Sequence, residues 1–88
     1  MKKKIKKKRV SLGQLYVSAC EYWAYNTDSS AGTTCTPRGS LFLVCRLGRE
    51  TITYLVTIPN SDNVIKLWDE TDFFRAMIYD DELKLVSS

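Results

Sequence analysis

Ser40-Leu41-Phe42-Leu43-Val44-Cys45-Arg46-Leu47 is the most apolar stretch of this 88-residue chain, and Gly48-Arg49-Glu50 turns it into Thr51-Ile52-Thr53-Tyr54-Leu55-Val56-Thr57-Ile58. The second segment alternates, with Ile52, Tyr54, Val56 and Ile58 on one side and three threonines and Leu55 on the other. A period of two is the mark of a β-strand, and two such segments joined by a short turn make an antiparallel hairpin. The first segment is apolar from Leu41 to Cys45, a pattern that suits a central strand buried on both faces. Leu41, Leu43, Ile52 and Val56, with Phe73 from further along, are therefore expected among the most buried side chains.

Outward from the hairpin, turn formers divide the chain. Pro37-Arg38-Gly39 opens the apolar strand, and Pro59-Asn60-Ser61-Asp62-Asn63 follows the alternating one. Upstream, Leu15, Val17 and Ala19 alternate with Tyr16, Ser18 and Cys20, and Tyr22-Trp23-Ala24-Tyr25 extends or follows that strand. Residues 26–34 are small and polar and read as an exposed loop. Downstream, Val64-Ile65-Lys66-Leu67-Trp68 is a short strand. Asp69-Glu70-Thr71-Asp72 reads as a helix N-terminus, where Asp or Thr caps the free amides. Phe73 to Met77 would be one or two helical turns, Asp80-Asp81-Glu82 an acidic turn, and Leu83-Lys84-Leu85-Val86 a closing edge strand. About five short strands with frequent turns, plus one short helical turn near the C-terminus, predict a mainly β, small antiparallel barrel.

The segment Arg9 to Leu15, the polar loop, Pro37-Arg38-Gly39-Ser40-Leu41-Phe42-Leu43-Val44, the hairpin and the Phe73-Phe74 element together resemble the small SH3-like barrel proteins of tailed bacteriophages. The resemblance covers most of residues 10–88. It implies an SH3-like barrel there and a bacterial or phage-infected cell as the setting, and it carries over no functional residues.

Charge is divided along the chain. Lys2, Lys3, Lys4, Lys6, Lys7, Lys8 and Arg9 are seven of its 13 basic residues. The remaining six stand against ten acidic residues, so residues 10–88 carry −4 although the whole carries +3. Residues 1–9 are thus expected to be a flexible polybasic arm that contacts DNA or RNA non-specifically through phosphates. The anionic body, residues 10–88, is better matched to a protein partner. Within it Tyr16, Tyr22, Trp23 and Tyr25 are the candidate protein interface, since Tyr and Trp are the usual anchors, although about half of such a cluster is expected in the core.

Other chemistry is narrowed by composition. With no histidine there is no Ser-His or Cys-His pair and no imidazole ligand. Cys20, Cys35 and Cys45 lack the close pairing of structural zinc sites, and an odd number does not make a disulfide framework. Reduced thiols and a cytoplasmic location are expected, with Cys35, read as part of the polar loop, the first to react. Val17-Ser18-Ala19-Cys20 resembles a lipoprotein cleavage site, but the segment before it is short and includes Ser, Gly and Gln, so a first strand is preferred. No apolar run approaches the ~20 residues of a membrane span. Asp69, Glu70, Asp72, Asp80, Asp81 and Glu82 do not follow a calcium-loop spacing. No metal, cofactor or catalytic activity is expected. The reading is a non-enzymatic interaction module with a cationic arm. Its rivals are a small inhibitor of a host enzyme acting through an acidic and aromatic face, and a structural virion component.

Overall fold

The hairpin forms as β4 (Leu41–Leu47) and β5 (Thr51–Thr57), closed by the Gly48 amide donating to the Thr51 carbonyl at 2.8 Å. The computed structural model describes residues 10–27 and 32–87, of Ser87 the backbone alone. Around the hairpin stand β1 (Leu15–Ser18), β2 (Tyr22–Asn26), β3 (Thr33–Thr36), β6 (Val64–Glu70), a helix α1 (Thr71–Tyr79) and β7 (Leu83–Ser87). All ladders are antiparallel, in one seven-stranded sheet of order β3-β2-β6-β5-β4-β1-β7. The mainly β class with one short helix is as expected. The strand number is seven rather than five, and the end strands β3 and β7 are not joined in these ladders.

Two turns follow directly from their residues. The Ser40 amide donates to the Pro37 carbonyl at 3.2 Å, with Gly39 at φ +89°. The Ser61 amide donates to the Ile58 carbonyl at 3.1 Å, with Pro59 and then Asn60 at φ +66°. Both place a residue that tolerates positive φ third in the turn, as a type II turn requires.

One face of the sheet is packed. Tyr16, Tyr22, Ala24, Phe42, Val44, Ile52, Tyr54, Val56 and Leu67 turn toward α1, which returns Phe74, Met77 and Ile78. These helix positions are three and four apart and make one apolar stripe. The rings of Tyr22 and Phe42 have centroids 5.1 Å apart, although β2 and β4 are separated by β6 and β5. Three strand spacings in a flat sheet are about 14 Å, so the sheet curls around this core. Val10, the first described residue, is buried in it. Among the described residues no helix is long and apolar enough to cross a membrane.

Four expectations are corrected. Leu43 is 37% exposed and Leu41 half-buried, because no helix among the described residues covers the outer face of β4, so this strand is buried on one face only. Phe73 is 45% exposed, and Phe74 takes the core position instead. Part of the polar loop is strand β3, pairing Thr36 to Thr33 with Tyr22 to Tyr25. The helix has Glu70 at its N-cap without a side-chain hydrogen bond, and the buried Thr71 hydroxyl has no partner among the described residues. The helix C-terminus is ordered by its backbone. The Glu82 amide donates to the Met77 carbonyl at 2.8 Å and the Asp81 amide to the Ile78 carbonyl at 3.1 Å, with Asp81 at φ +63°. This is a Schellman motif with aspartate in the position glycine normally fills.

Candidate binding pocket in a fork of the sheet

Strands β2 and β6 pair only at Tyr25 with Trp68 and Asn26 with Leu67. Beyond that point β2 runs back to Tyr22 and β6 on to Glu70 without a ladder between them, and the strands fork. The first turn of α1 enters at the mouth of the fork. A pocket of about 200 Å³ lies there, lined by Trp23, Tyr25, Thr33, Asp69, Glu70 and Phe73. Strand alternation explains the lining from β2. Tyr22 and Ala24 face the core, which turns Trp23 and Tyr25 out, at 59% and 42% exposed.

The fork is spanned by a hydrogen-bonded chain. Tyr54 donates its hydroxyl proton to the Tyr22 hydroxyl at 3.1 Å, and Tyr22 donates to Asp69 Oδ2 at 3.1 Å. The Glu70 amide donates to Asp69 Oδ1 at 2.8 Å. Asp69 is 4% exposed. Burial raises its carboxyl above the ordinary value, opposed by the Glu70 amide and the Tyr22 hydroxyl, which favour the charged form, and aided by the Glu70 charge. Burial first, then Tyr54 and Asp69, push the Tyr22 hydroxyl far up. It therefore stays neutral at ordinary pH, a hydrogen-bond donor to Asp69 and not a base or nucleophile.

Aromatic contacts hold the walls. Phe73 stacks on Tyr22 with centroids 6.0 Å apart, and Tyr25 stacks on its cross-strand neighbour Trp68 at 4.6 Å. Phe73 and Tyr25 are thus each held by a second ring while remaining partly exposed.

Of the interface candidates, Trp23 and Tyr25 come together at the fork. Tyr16 and Tyr22 do not serve as surface anchors. Tyr16 is buried edge-on against Phe74 at 5.5 Å, with its hydroxyl donating to Gln14 Oε1 at 2.8 Å, and Tyr22 lies beneath Phe73. Lys2, Lys3, Lys4, Lys6, Lys7, Lys8 and Arg9 lie outside the described residues. Asp69, Glu70 and Phe73 are site residues that the sequence pattern assigns to helix capping and core packing. The missed signal is two successive acids beside two successive phenylalanines, of which one α-helical stripe can bury only one.

A larger open groove of about 620 Å³ lies on the outer face, lined by Thr27, Cys45, Arg46, Thr53, Leu55 and Lys66. It has no buried charged group in its lining. All three cysteines are free thiols, and among the described residues no three thiols or carboxylates converge on a metal site. Cys45 is the exposed one and Cys35 is half-buried in β3, not in an exposed loop, so exposure favours Cys45 over Cys35. Comparison with known proteins finds no matching family model, no matching curated protein and no matching solved structure.

Proposed function

We propose that this protein is a non-enzymatic interaction module that takes a basic segment of a protein partner into the fork, while its cationic arm holds DNA or RNA non-specifically. The observation carrying this reading is the lining of the fork: three exposed aromatic rings and two carboxylates, with no basic residue among the described residues that line it. Aromatic side chains give contact area at low entropic cost, and carboxylates beside them favour a cationic ligand. The neutral Tyr22 supports binding over catalysis. An inhibitor that enters a basic pocket of a host enzyme would use this same acidic and aromatic face, and is the second reading. An SH3-like barrel of the tailed-phage kind remains part of the proposal, supported by the Pro37-to-Val44 entry and the hairpin after it.

The test is a titration of the full chain with an unstructured Lys/Arg-rich peptide and with a Glu-rich counterpart, followed by NMR. The basic peptide is expected to shift the signals of Trp23, Tyr25 and Phe73, and the acidic one to leave them in place. Shifts confined to Arg46, Thr53 and Lys66 would move the site to the outer groove and overturn the reading. Deleting residues 2–9 is expected to remove most nucleic-acid affinity together with its salt dependence, since the slope falls by about one for every phosphate the arm no longer neutralises.

A further inference from the structure

We propose that the fork reads an arginine side chain of the partner, its guanidinium lying against Trp23 and Phe73 and donating to the carboxylates of Asp69 and Glu70. The inference rests on the fork being the protein-binding site. Size comes first. About 200 Å³ is below the roughly 300–1,000 Å³ of pockets for drug-sized ligands, so the fork suits one side chain. Charge comes second. Asp69 is buried, and among the described residues its hydrogen-bond partners are the Tyr22 hydroxyl and the Glu70 amide, with no cation. A buried carboxylate without a counter-charge is costly, and an incoming cation offsets that cost.

Geometry then separates the two basic side chains. Each Asp69 oxygen already accepts one hydrogen bond, which leaves each able to accept another. A guanidinium offers paired, coplanar N–H donors to such an acceptor, whereas an ammonium is a point charge. The guanidinium is also more weakly hydrated and stacks flat on aromatic rings, so it loses less on entering a space walled by Trp23, Tyr25 and Phe73. The exposed ring surfaces of the fork thus match the faces of the ligand, and its buried carboxylate matches the edge.

The experiment is an NMR titration of the full chain with capped Gly-Gly-X-Gly-Gly peptides, where X is arginine, lysine or the uncharged citrulline. The arginine peptide is expected to shift the Trp23 indole and the Phe73 ring, binding about tenfold more tightly than the lysine peptide. Citrulline, of the same shape without the charge, is expected not to bind. Trp23→Leu and Glu70→Gln alter exposed side chains, and each should weaken arginine binding several-fold with the melting temperature unchanged. Asp69→Asn should abolish it. Lysine binding at the fork as tightly as arginine would overturn the arginine assignment and leave the basic-partner reading standing. Absence of any fork shift with both charged peptides would overturn both. Citrulline binding as arginine does would show that shape and not charge is read, against this proposal.

Discussion

The two faces of the β4–β5 hairpin differ far more in burial than in composition. Toward α1 the hairpin presents Phe42, Val44, Ile52, Tyr54 and Val56, all buried. On the other side Leu43 and Cys45 are exposed, Leu41, Thr53 and Leu55 are half-buried, and Arg46 and Lys66 border an open groove. Strand β4 is apolar on both sides, so its residue types do not decide which side is interior. The cover decides it: one helix of nine residues lies on one face, and among the described residues the other has none. The larger cavity lies on the open face, and the buried carboxylate lines the smaller one.

Substitutions on opposite sides of one strand test this contrast most severely. Phe42→Ala removes a ring that packs against both Tyr22 and Tyr54 and is expected to cost about 3–5 kcal/mol in chemical denaturation. Leu43→Ala, one residue on, is expected to cost about 1 kcal/mol or less, as truncations at partly exposed sites do. Equal costs would mean that something covers the outer face.

Tyr22→Phe sharpens the inner side. It keeps the ring and deletes the hydroxyl that donates to Asp69, leaving a buried carboxylate short of a partner, and should cost about 1.5–3 kcal/mol near neutral pH. The loss should shrink in acid, once Asp69 is protonated.

Asp69 itself gives a smaller, pH-dependent effect. Its folded carboxyl titrates above 3.8, the ordinary value, so between that value and the folded one the folded chain holds more of the proton than the unfolded chain. Its contribution to stability is therefore full below 3.8 and is lost as pH rises through that window. Asp69→Asn should flatten this part of the stability profile, and an unchanged profile would mean that Asp69 is not the titrating group. The smallest effect concerns the helix that makes the two faces unequal. Asp81→Gly relieves a left-handed residue and removes an acid from the negative end of α1, and should gain about 1 kcal/mol in melting experiments.

The hairpin, the turns at Gly39 and Asn60 and the start of α1 were legible because each depends on local chemistry: alternation, positive φ, acids at a helix start. Strand β3 was not. It is an end strand of Thr-Thr-Cys-Thr, whose inward positions Thr34 and Thr36 do not contrast with their neighbours in hydropathy. The Thr36 hydroxyl is satisfied only through a non-local bond to the Tyr22 carbonyl at 2.9 Å. Phe73 and Phe74 are a one-position ambiguity that only the docked helix resolves. Half of the fork was visible, since Trp23 and Tyr25 alternate with Tyr22 and Ala24. Its other half was hidden, because Asp69 meets Tyr22 across 47 residues of chain and nothing local announces that meeting.

The pairing of Leu15 with Ser87 brings the two ends of the folded region to one edge of the sheet. Any sequence joined before β1 or after β7, whether a label, a surface tether or a fused domain, therefore departs from one and the same edge. A donor dye on one end and an acceptor on the other would thus sit close together, and their separation would report the opening of this edge.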